Sequence, residues 1–187
     1  MELGNSSHHS ITSQEGQPVN YGLYMALYSL ASSDAKPSTC QYHAGFKLIR
    51  EGAASEEKQP HVYLYKLVNN LKVKECMWKF ECQQIRRRTD ELTALVFLGS
   101  PKITVMDLEK QLMAVDIMQR PGCQCKEWIR SAMRELQTLG TIAKFPDAAD
   151  VWETAVKFAD NNPVPAGGVP STCNMAGERI KSAYEHH

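Results

Sequence analysis

The sequence predicts an α+β domain, an antiparallel sheet of about five strands with helices packed on it. Two observations lead there. Between Tyr21 and Leu98 the apolar residues fall in short unbroken runs or alternate with period two, and from Thr104 onward they recur at helical spacing. Strands that come first and helices that cluster after them are the order of an α+β domain, not of repeated βαβ units. At 187 residues and 43% hydrophobic content, the chain is long enough to bury one core of its own.

Tyr21 to Leu30 is aromatic and aliphatic without helical caps and reads as a buried strand. Gln41 to Arg50 alternates, with Tyr42, Ala44, Phe46 and Leu48 on one face and His43, Gly45, Lys47 and Ile49 on the other. Pro60 to Val68 and Met77 to Ile85 behave likewise, and Thr93 to Leu98 is a fifth short strand. Glu51 to Gln59 is charged and rich in small residues, as a hairpin loop would be. Thr104 followed by Asp107 is a loose capping box for a helix whose stripe is Val105, Leu108, Leu112 and Val115. A stronger stripe of Trp128, Ile129, Ala132, Met133, Leu136 and Leu139 ends at Gly140, a C-terminal stop. Asp147 can cap a third helix that turns Val151, Trp152, Ala155, Val156 and Ala159 inward.

Residues 1–18 read as an N-terminal tail, 19–160 as the folded domain and 161–187 as a Pro- and Gly-rich C-terminal tail, with both ends loose or draped over the surface. No internal repeat is visible. Lys and Arg together number 21, as do Asp and Glu, so no net field draws the chain to nucleic acid, an anionic membrane or an acidic substrate. The start lacks the basic and apolar regions of a secretory signal, and no apolar run approaches the roughly 18–20 residues of a membrane span, so a soluble, cytoplasmic protein is expected. Cysteines stand at 40, 76, 82, 123, 125 and 173 without a dense framework or a CxxC pair, and are read as reduced thiols. Cys123-Gln-Cys125 is too tight for the usual zinc spacing, and no metal or cofactor is expected.

One constellation could carry chemistry. His8, His9, His186 and His187 lie in the tails, whereas His43 and His61 lie on predicted strands. Cys125 follows the turn signal Pro121-Gly122 and opens the strongest helix, where the macrodipole and unpaired N–H groups favour thiolate over thiol. The same N–H groups can hold an oxyanion, and a strand-borne imidazole would supply the base. The plainer explanation is structural, since buried free cysteine is common and core histidines are often satisfied by backbone groups.

The order of these pieces, Tyr21-Gly-Leu-Tyr-Met-Ala-Leu-Tyr28, Tyr42-His-Ala-Gly-Phe46, His61-Val62, and Cys125-Lys-Glu-Trp-Ile129, resembles a small fungal family of unknown function. Its pattern is a strand with Tyr-His-Trp, a later Tyr-His-Val, and Asn-Cys-x-x-Trp-Val opening a helix. That pattern is similar in turn to the permuted papain-like thiol enzymes, the lecithin:retinol acyltransferase and NlpC-P60-like group. The likeness covers about Val19 to Asp160 and implies Cys125 as nucleophile, His43 as base and His61 as the orienting third member. Two positions depart from the pattern: Ala44 replaces the aromatic after the first His, and Gln124 replaces the Asn before the Cys. Cys123 is an extra thiol, Trp128 is explained as core, and Arg86-Arg87-Arg88 reads as a solvated turn.

The resemblance implies a thiol-dependent hydrolase or acyltransferase acting on an ester, thioester or amide through an acyl-cysteine, with a small-molecule or acyl substrate. One rival is a biosynthetic cyclase or isomerase that uses Tyr21 to Tyr28 and Tyr63 to Tyr65 as the wall of a cleft. Another is a non-catalytic interaction module.

Overall fold

The computed structural model of the chain describes residues 20–29, 41–50, 62–69, 77–85, 91–119, 124–164, 168–182 and 184. In chain order these form β1 (Tyr21–Ser29), β2 (Tyr42–Arg50), β3 (Val62–Asn69), β4 (Trp78–Ile85), β5 (Leu92–Gly99), α1 (Val105–Met113), α2 (Gln124–Thr138), α3 (Ala148–Asn161), β6 (Ser171–Cys173) and β7 (Arg179–Ile180). The sheet order is β4-β3-β2-β1-β5-β6-β7, antiparallel throughout except where β6 runs parallel to β5.

The α+β class and the antiparallel pairing are as expected, and the strand count is not: the sheet has seven strands. The two additional strands, β6 and β7, come from the segment read as a C-terminal tail. Cys173 is fully buried beside Val96, so this segment adds to the sheet instead of lying over it.

β1 is central, with β2 and β5 on its two sides, which is why it is buried almost end to end. Alternation then sorts the side chains. Leu23, Met25, Leu27, Tyr42, Ala44, Phe46, Leu48 and Tyr65 share one core with the three helices, the helix face. Tyr24, Ala26, Tyr28, Ile49, Leu64 and Leu95 form a smaller cluster on the outer face.

The helix signals hold in detail. Thr104 Oγ1 accepts from the Asp107 N–H at 3.1 Å, and Asp147 Oδ1 accepts from the Ala149 N–H at 2.8 Å, each satisfying an orphan donor of a first turn. At the end of α2 the Thr141 N–H reaches Leu136 O at 2.8 Å and the Gly140 N–H reaches Gln137 O at 3.0 Å, a Schellman ending that requires the φ of +71° found at Gly140. The unwinding turns Leu139 out of the expected stripe, leaving it exposed. Trp128 is core as expected, 2% exposed, its ring 5.5 Å from Phe46 and 5.9 Å from Phe80.

One irregularity positions the site. The β2–β3 ladder stops at Gly45↔Lys66, yet β3 continues along β4 as far as Asn69↔Trp78. Residues 42–44 of β2 therefore keep β1 on one side and have lost β3 on the other. Gly45 stands at the last point of contact, where a Cβ would lie 2.7 Å from the Tyr65 carbonyl oxygen, so only glycine fits the approach.

Candidate functional site

Cys125 occupies this split. It is the second residue of α2, 4% exposed, and its Sγ lies 4.0 Å from the carbonyl oxygen of Tyr42. The N–H groups of Ala44, Lys126 and Cys125 itself also face the sulfur. In an antiparallel strand the N–H and C=O of alternate residues point to the same neighbour, so Tyr42 C=O and Ala44 N–H are the groups that β3 would have paired. The thiol stands in for the departed strand. Burial raises its pKa above the ordinary value, and the three N–H groups oppose that rise without overturning it. The expected advantage of a helix start is present and is outweighed by desolvation.

His43 lies on the outer face. Its Cα partner on β1 is Tyr28, and the two rings lie 6.5 Å apart on the outer face. Cys125 belongs to the helix whose Trp128 packs on Phe46, on the helix face. Alternation thus sends the imidazole to the outer face of β2, while the thiol meets the backbone groups of Tyr42 and Ala44 on either side of His43. The surroundings of His43 agree: burial and then the Lys66 charge depress its pKa, while Glu91 raises it. His61, the expected third member, lies outside the described residues.

On the thiol's own face the polar neighbour is Tyr42. Its hydroxyl donates to Asp160 Oδ1 at 2.6 Å, and Gln41 Nε2 donates to the same oxygen at 2.8 Å. Burial and then the Asp160 carboxylate push the phenol up to about 12, so it stays protonated near neutrality and cannot act as a base for the thiol. Among the described residues His43 is the sole histidine, and no three His, Cys, Asp or Glu side chains group as metal ligands would.

The aromatic residues expected to wall one cleft are divided between the faces. Tyr24 and Tyr28 belong to the outer cluster, whereas Tyr65 is buried under the helices and Tyr21 and Tyr63 meet edge to face at 6.3 Å beside that core.

Sequence reasoning passed over Lys47. Its place in the β2 alternation gave it a face, but lysine on a strand is ordinarily solvated. Here it is fully buried on the outer face, its Nζ donating to the hydroxyl of Tyr184 at 3.1 Å. No signal in β2 itself announces this, because the covering residue lies 137 positions away.

Among the described residues no helix is long and apolar enough to cross a membrane. Searches against curated proteins and against solved structures gave no match. One family model matches residues 21–163, from the first strand to just past the third helix. The chain belongs to DUF6914, a family of unknown function.

Proposed function

We propose that this chain is a non-catalytic interaction module of the cytoplasm, built on a permuted papain-like scaffold in which Cys125 has become structural. The observation that carries this reading is the burial of the Cys125 thiol, which raises its pKa, beside a strand whose His43 projects to the outer face. A buried thiol with a raised pKa has little thiolate with which to attack a carbonyl. The scaffold half of the reading rests on the sequence resemblance and on a helix-opening cysteine packed against the Tyr-His strand.

The partner this reading fits is an extended polypeptide segment added along β4. That strand ends the sheet order, and at Trp78 the Gln119 side chain already makes both bonds a neighbouring strand would make: it accepts from the N–H and donates to the C=O, each at 2.8 Å. By alternation the backbone groups of Phe80, Cys82 and Gln84 point the same way, the template for strand addition.

The acyl-cysteine reading keeps one observation in its favour, the convergence of the Ala44 and Lys126 N–H groups on the sulfur. Treating the folded chain with p-nitrophenyl acetate and mapping the adducts separates the two. The module reading expects acetylation of Cys125 to be slower in the folded chain than in the urea-unfolded one. An acetyl-Cys125 that forms faster on folding, and less in His43→Ala, would overturn it in favour of the thiol enzyme.

A further inference from the structure

Lys47 is 0% exposed, and among the described residues no carboxylate forms an ion pair with it. Its stem runs over small neighbours: Gly45 precedes it on the same face, and Ala26 is the β1 partner of Gly45. That lane lets the side chain reach back along the strand, so that Nζ lies 5.6 Å from the Tyr28 ring centroid although the β1 partner of Lys47 is Tyr24. The second wall is Tyr184, its ring centroid 5.5 Å from Nζ and its hydroxyl 3.1 Å away. Among the described residues the nitrogen thus sits between two aromatic rings with a single hydrogen-bond partner. A full charge with so little compensation is expensive to bury, whereas the neutral amine is not.

Among the described residues the other charged groups on this face do not supply a counter-ion. Lys66 is the β3 partner of Gly45, and Glu81 faces Lys66 across β4. His43, beyond Tyr28, is the group that feels Glu91. Desolvation accordingly brings the Lys47 pKa down to about 8. Against an ordinary value of 10.5, that gives roughly 300-fold more neutral amine at pH 7.

We propose that Lys47 is the reactive amine of a carbonyl-binding site on the outer face of the sheet, walled by Tyr28 and closed by Tyr184, that takes a flat aldehyde or ketone as a Schiff base. In the step, the Nζ lone pair forms a C–N bond to the carbonyl carbon while the C=O π pair moves to oxygen. The proton shed by nitrogen passes to that oxygen, and the Tyr184 hydroxyl is placed to carry it. The carbinolamine hydroxyl then takes up a proton and leaves as water, the C–O bond breaking as the nitrogen lone pair forms the C=N bond, which gives a protonated imine with no net oxidation or reduction. A protonated imine carries the charge of the ammonium on a larger, softer group, which the faces of Tyr28 and Tyr184 hold by cation–π attraction. This site is independent of the reading of Cys125, since Lys47 lies against Tyr28 and Tyr184 and the thiol against the backbone of Tyr42.

The test treats the full chain at pH 7.5 with benzaldehyde and sodium cyanoborohydride, followed by peptide mapping. The wild type, Tyr184→Ala and Tyr184→Phe are compared, with folding checked by circular dichroism. The proposal expects Lys47 to be benzylated at least about tenfold faster than the exposed Lys110, in the wild type or once Tyr184→Ala has opened the site, as its greater neutral fraction requires. Tyr184→Phe, which keeps the wall and removes the proton carrier, should lower the Lys47 rate several-fold without touching Lys110. Lys47 lagging behind Lys110 in both the wild type and Tyr184→Ala would overturn the proposal.

Discussion

The sulfur of Cys125 rests 4.0 Å from the carbonyl oxygen of Tyr42, at the point where β3 has parted from β2 and left that oxygen without a strand partner. The thiol is therefore part of the sheet's hydrogen bonding as well as of α2. Cys125→Ala removes the group that faces Tyr42 C=O and Ala44 N–H in a buried setting. A loss of about 1–3 kcal/mol is expected, the cost of leaving buried polar groups unsatisfied. Urea denaturation measures it, and an unchanged midpoint would show that the split does not need the sulfur.

Trp128 separates packing from hydrogen bonding. Its indole is enclosed by Phe46 and Phe80, while its Nε1 is buried without a partner among the described residues. Trp128→Ala should cost about 3–5 kcal/mol through the cavity it leaves. Trp128→Phe also loses volume but removes an unsatisfied donor, and should cost less than half as much. Equal losses for the two variants would mean that the N–H does matter.

Lys47 should make stability rise with pH. Its folded pKa, about 8, lies below the 10.5 of the unfolded chain, so between those values the unfolded state binds more proton. Below pH 8 the cost of the buried ammonium is fully present, and it is relieved as pH climbs to 10.5. The gain is on the order of 3 kcal/mol from 2.5 pKa units. Lys47→Met should be more stable than wild type at pH 7, with the difference shrinking toward pH 10. The unfolding free energies of both proteins at matched pH give the comparison, and a constant difference would remove the buried charge from the account.

The edge position of β4 makes a paired prediction. The Gln84 N–H points away from β3, on the side where Gln119 meets Trp78, whereas the Gln83 N–H points toward Leu64. Proline at Gln84 forfeits no ladder bond and should cost about 1 kcal/mol or less, while proline at Gln83 should cost about 3 kcal/mol or more. Thermal melts of the two variants decide it, and the reverse order would put a partner on the outer side of β4.

Much of this was legible in the sequence, and what was missed has a physical reason. The caps at Thr104 and Asp147 and the stop at Gly140 are local signals, read within four residues, and all three stand in the structure. The alternation of β2 also sorted Tyr42 and Phe46 from His43 and Lys47 correctly. A period of two assigns residues to faces but does not say which face the helices cover. That is fixed by Trp128 packing on Phe46, a contact across 82 residues, and it leaves His43 on the face away from the helices. β6 and β7, of three and two residues, are too short to show any period. Lys47 received a face but no role, because its burial depends on Tyr184, which belongs to no periodic element.

The central claim is that Cys125 is a buried thiol uncoupled from His43, and its titration tests that most directly. The rate of Cys125 carboxamidomethylation by iodoacetamide, resolved by peptide mapping across pH, reports the thiolate fraction. The account predicts a midpoint above the ordinary cysteine value of 9.0, because burial outweighs the surrounding N–H groups, and the same midpoint in His43→Ala. A midpoint well below that value, moving upward when His43 is replaced, would contradict it and return the pair to one active site.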